Sequence, residues 1–94
     1  MSTIAQDALA AALAKHAARH ARDEALRTHD DLTVDGNAAI YQARMDLDAA
    51  ERASHGPIEA WNRLPQAERD EHLAAWAADE TIPARALRAL KPLR

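Results

Sequence analysis

The chain contains no cysteine, no phenylalanine, only two glycines and two lysines, and three aromatic residues, Tyr41, Trp61 and Trp76. Without cysteine there are no disulfides, no thiolate metal sites and no cysteine nucleophile. Scarce glycine leaves no glycine-rich loop to cradle a phosphate. No stretch approaches ~20 continuous apolar residues, which excludes a membrane-spanning helix. The opening, MSTIAQDALAAALAKH, has no basic segment ahead of its apolar run and carries Asp7 beside it, so no export signal is expected and the default location is cytoplasmic.

What the chain has in quantity is alanine. Of its 94 residues 25 are alanine, against 20 larger apolar side chains, ten of them leucine. Alanine has the highest helix propensity and lets helix axes approach closely, so this composition predicts an all-α, compact, Ala-rich bundle of four to five helices formed as a single domain over residues 1–94. Ten arginines against two lysines, with the heavy alanine, point to a GC-rich coding sequence and hence a bacterial or phage source.

Periodicity places the helices. Thr3 and Gln6 have the spacing of a capping box, opening a helix that runs to about Arg27 or His29. Leu9, Ala10, Leu13, Ala14, Ala17, Ala21 and Ala25 are expected on its core side, with Lys15, Arg19 and Arg22 outward. A second helix is expected from about Ala38 to Ser54, burying Ala39, Ile40, Ala43, Leu47, Ala50 and Ser54. Gly56 reads as its C-terminal cap and Pro57 as the start of a short third helix with Ile58, Trp61 and Leu64. Pro65 opens a fourth helix ending near Glu80, and Pro83 a last one with Leu87 and Leu90.

The segment DLTVDGNAAIYQ, residues 31–42, has part of a calcium-loop pattern in Asp31, Thr33, Asp35 and Gly36. Position nine is Ala39 and position twelve Gln42, where the ion needs oxygen donors and a carboxylate, so the segment reads instead as a turn with Asp35 or Asn37 capping the next helix. His16 and His20 are one turn apart, the spacing of a zinc pair, and Glu24 continues the row. His16 and Glu24 lie about 12 Å apart along a helix, too far to share one ion, and Ala17 stands where a zinc protease has its glutamate. The serines are Ser2 and Ser54, and the latter diverges from its neighbour His55, so no triad forms. No metal, no cofactor and no enzymatic activity are expected.

Charge is uneven: +1 over residues 1–29, −8 over 30–80 and +4 over the basic tail 81–94. Two sites follow. The first is a second stripe on the second helix, where Tyr41 and Met45 point about 140° away from the Ile40 and Leu47 face, with Arg52 beyond them. Tyrosine and methionine are favoured at protein interfaces, although a last helix sandwiching the second one against the first would make this stripe core. The second lies in LAAWAADETIPARALRAL, which resembles a helix-turn-helix, with Leu73, Ala74 and Ala77 on the supporting helix and Arg85, Arg88 and Lys91 as the implied DNA-contacting side chains. Its departures are the polar Asp79 in the turn and Pro83 near the recognition helix. The expected function is non-enzymatic, stoichiometric binding to another protein with a basic surface, or to a second copy, as an accessory regulator or inhibitor. Anti-CRISPR proteins have this size and helical build. The alternative is a DNA-binding regulator using residues 73–94.

Overall fold

A computed structural model describes residues 3–91, and every regular element among them is helical. Helix α1 spans Ile4–Thr28, α2 spans Val34–Asn62, α3 spans Gln66–Ala77, and a 3-10 helix covers Ala84–Leu90. The four elements fall within the four to five expected, with the second and third helices of the periodicity reading joined into one. No helix among the described residues is long and apolar enough to cross a membrane. The molecule is not compact: its radius of gyration is 15.5 Å and its extents 50 × 31 × 26 Å, where a closely packed chain of this length has a radius of about 12 Å.

The N-terminus of α1 forms as its sequence dictates. The Thr3 hydroxyl accepts from the Gln6 N–H at 3.0 Å, and the Gln6 side chain accepts from the Thr3 N–H at 3.2 Å, completing the capping box. Its buried face, however, is Ala5, Ala8 and Ala12, with Leu9 and Leu13 beside it, while Ala10, Ala14, Ala17 and Ala21 are exposed. Of the expected face, Leu9, Leu13 and Ala25 are half-buried while its other alanines point to solvent, so the buried face is rotated toward Ala5, Ala8 and Ala12. Small side chains line the seam because α1 lies close against α2. Lys15 and Arg22, expected to face outward, are instead half-buried beside that face.

Helix α2 starts four residues earlier than expected and does not stop at Gly56-Pro57. Thr33 is its cap, the hydroxyl accepting from the Gly36 N–H at 2.9 Å. Gly36 is thus a helical residue with ordinary φ, and no glycine among the described residues has positive φ. Its role is proximity: a Cβ there would lie 1.9 Å from the Asp30 carbonyl oxygen. That carbonyl accepts from both the N–H and the hydroxyl of Thr33, which closes the turn between the helices. Farther along, Ile40, Leu47, Ser54 and Trp61 are buried at intervals of seven, a single seam running past the proline. Pro57 has no N–H to donate, but the burial of Trp61 and the packing of Ile58 on the core keep the chain helical beyond it.

The core lies at the end of the molecule where four elements meet. Trp61 is completely buried against Ala5, Ala8, Ala12 and Leu90, with Ile58, Leu64, Leu73, Trp76 and Ala89 around it. Its indole N–H donates to the Leu90 carbonyl at 2.8 Å, so the most buried polar group on the ring is satisfied and the 3-10 helix is tied to α2. Trp76 stacks on Trp61 with ring centres 5.4 Å apart, and His72 adds a third ring 5.5 Å from Trp76. We call this end the base. At the other end, the tip, only α1, α2 and their connecting turn are present.

Candidate binding surfaces

The tip sets its side chains by the helical period. Because Gly36, Ile40 and Leu47 face α1, residues displaced from them by more than a quarter turn face away. Val34, Ala38, Tyr41 and Met45, at steps of four, three and four, form that outward stripe. Val34 is 86% exposed, Tyr41 63% and Met45 47%, and Leu32 in the turn is 90% exposed. The 3-10 helix packs chiefly on α1 at the base and does not cover this stripe. Tyr41 and Met45 are therefore surface residues, and the sandwich that would bury them does not form. Arg52 is exposed farther along α2 and pairs with Asp48 at 2.7 Å, one turn back. An exposed pair of this kind contributes at most about 1 kcal/mol. Leu26, also exposed, lies near the end of α1 toward the same tip.

Carboxylates surround these apolar side chains. Between residues 29 and 48 there are five aspartates, Asp30, Asp31, Asp35, Asp46 and Asp48, and one arginine, Arg44. Three of the five are tied locally: Asp30 accepts from the Leu32 N–H at 2.8 Å, Asp46 from the Gln42 amide at 2.9 Å, and Asp48 is paired with Arg52. The surface is thus apolar at its centre and acidic around it, and it is built on the first turns of α2 and the turn that precedes them. The sequence pattern identified Tyr41 and Met45. It missed Leu32 and Val34, whose signal was two branched apolar residues in an otherwise polar turn.

The C-terminal segment presents a different surface. Ala86, Leu87 and Leu90 are buried and Arg85, Arg88 and Lys91 exposed. The turn before it is closed by Asp79, whose carboxylate accepts from the Thr81 hydroxyl at 2.6 Å and the Thr81 N–H at 2.9 Å. The hydroxyl bond first, and then the backbone bond, hold the Asp79 carboxyl below the usual carboxylate range. A helix-turn-helix would bury an apolar side chain in that turn and follow it with an α-helix long enough to lie in a groove. Here the following element is a seven-residue 3-10 helix docked on α1. Arg85 and Arg88 line clefts against α1, where they meet Lys15, His16, Arg19 and His20; Lys91 lies outside these clefts.

Among the described residues no group of three or more His, Cys, Asp or Glu side chains gathers as metal ligands would. The segment 31–42 is not a loop, since α2 begins at Val34 and takes up most of it. Ser54 is buried and its hydroxyl donates to the Glu51 carbonyl at 2.7 Å, within its own helix. An open, mostly apolar groove of about 560 Å³ lies between Ile4, Asp7, Ala10 and Ala11 of α1 and Gly56, Pro57 and Ala60 of α2. Comparison of the chain with protein-family models, curated proteins and solved structures finds no match.

Proposed function

We propose that this protein is a non-enzymatic binding protein that engages another protein stoichiometrically through the outer face of α2 at the tip. The observation that carries the reading is the exposure of Leu32, Val34, Tyr41 and Met45 within one short stretch, on the turn and the face of α2 that no other described residue covers. An apolar stripe at helical spacing is what an amphipathic helix offers to a groove in a partner. The surrounding aspartates select for a groove with a basic rim, which speeds encounter and orients docking. The role this fits is that of a small accessory regulator or inhibitor of bacterial or phage origin. The DNA-binding alternative has less support, because its recognition segment is short, 3-10 in form and packed through its apolar side.

Affinity capture from the native host, followed by quantitative binding, tests the reading. Tyr41→Ala combined with Met45→Ala should weaken the captured complex at least thirtyfold, about 2 kcal/mol or more, as expected when a buried interface tyrosine is truncated. Light scattering of the free protein separates a foreign partner from a second copy. Retention of full affinity by the double variant would refute the tip as the binding surface. A sequence-specific gel shift at physiological salt, abolished by Arg85→Ala, would favour the DNA-binding alternative instead.

A further inference from the structure

The docking of the 3-10 helix on α1 creates a concentration of positive charge that neither segment has alone. Two adjoining clefts of about 230 Å³ and about 200 Å³ share His16, Arg19, Arg85 and Arg88 as lining residues. Lys15 completes the first and His20 the second. Four of these six side chains are permanent cations. The carboxylate on the lining is Asp23, which is paired with Arg22 at 3.0 Å. The other ion pairs among the described residues are Arg27 with Glu24 and Arg52 with Asp48. Lys15, Arg19, Arg85 and Arg88 therefore line these clefts with no carboxylate of the described residues within salt-bridge distance.

Such an arrangement is costly to the folded chain by itself. Like charges brought together by docking oppose that docking, and an anion between them reverses the sign of the interaction. We infer that the α1–3-10 clefts form a binding site for a small polyphosphate, an anion carrying two or more linked phosphates. Three features select this class. Arginine forks on two different elements, Arg19 on α1 and Arg85 and Arg88 on the 3-10 helix, converge from two sides, as bidentate phosphate recognition requires. The row Lys15 to Arg19, with His16 to His20 beside it, repeats the donors at roughly 6 Å along the helix, so one phosphate cannot engage them all. The clefts are also small and adjoining, which suits linked phosphates better than the rod of a duplex. Bound there, the anion would fasten the 3-10 helix to α1. This site is separate from the tip and does not depend on it.

Inorganic tripolyphosphate is the probe, titrated calorimetrically into the full chain at about 0.1 M salt, with orthophosphate and a short random-sequence duplex in parallel. Tripolyphosphate should bind one to one, at least about tenfold more tightly than orthophosphate, and raise the melting temperature. Arg85→Gln with Arg88→Gln, and separately Arg19→Gln, should each weaken it about tenfold or more. Arg44→Gln, on α2 and outside these clefts, should leave it unchanged. All three arginines of the site are exposed, so the variants should remain folded, which circular dichroism checks. Absence of saturable binding overturns the inference, as does equal weakening by Arg44→Gln. Tighter binding of the duplex, dependent on the same arginines, would overturn it in favour of a nucleic-acid surface.

Discussion

The base and the tip are built on the same two helices, yet they treat large apolar side chains in opposite ways. At the base α3 and the 3-10 helix add further layers, and Trp61, Leu87 and Leu90 disappear from solvent. At the tip each helix has one neighbour, so only a narrow seam is buried, chiefly Gly36, Ile40 and Leu47, and Leu32, Val34, Tyr41 and Met45 stay outside. A helix pair without a third layer has nowhere to put a second apolar face. The lesson is that stability and binding capacity are divided between the ends. Regions with few buried contacts open at the lowest free-energy cost, so the tip is expected to exchange its amide hydrogens faster than the base.

The comparison breaks most completely at Trp61. Trp61→Ala removes the largest buried side chain, leaves a cavity among alanines that are too small to fill it, and orphans the Leu90 carbonyl. The expected loss is about 3–5 kcal/mol. A chain of this size has only about 5–14 kcal/mol in total, so the variant should be largely unfolded near 40 °C by circular dichroism. A cooperative melt close to that of the wild type would show that the base is not the stabilising end.

Gly36→Ala is the matching test of the tip. The added Cβ meets the Asp30 carbonyl oxygen, a backbone atom that cannot rotate away, so the turn must shift and weaken its bonds to Thr33. Alanine's better helix propensity recovers up to about 1 kcal/mol, and a net loss of about 1–3 kcal/mol is expected from the forced displacement. Hydrogen exchange should accelerate around residues 28–40 and remain unchanged around Trp61. An unchanged or increased stability in urea would mean that the turn yields freely.

How much of this was legible in the sequence depends on which signal carried it. Thr3 with Gln6, the boundaries of α1, and the Ile40–Leu47–Ser54 face were readable because capping and period act locally. Gly56-Pro57 misled because both residues are helix breakers by local rule, whereas the seven-residue step from Ser54 to Trp61 showed the same seam continuing across them. That longer spacing was the available clue. The face of α1 was only partly assigned because alanines occupy much of that helix's circumference, and propensity cannot distinguish an alanine at a close helix contact from one in solvent. The cleft uniting Arg19 with Arg85 and Arg88 was not legible at all, since it arises only when the 3-10 helix docks on α1. For the tip, the Tyr41–Met45 stripe was visible as a pattern, but its exposure depended on where the last element packs.

The smallest effect on stability, and the sharpest contrast within one helix, should come from Tyr41→Ala. Tyr41 follows Ile40 directly, yet Ile40 is buried in the seam and Tyr41 points outward on the uncovered face. Truncating an exposed side chain removes little burial, and alanine's higher helix propensity offsets part of what is lost. The expected change is less than about 0.5 kcal/mol in chemical denaturation. Ile40→Ala, one residue away, should lower stability by the larger amount typical of a core truncation. If Tyr41→Ala proved as damaging as Ile40→Ala, the outer face of α2 would have to be packed in solution, either within the chain or against a second copy. Dilution distinguishes these cases, because a contact between copies makes the loss depend on protein concentration whereas a contact within one chain does not.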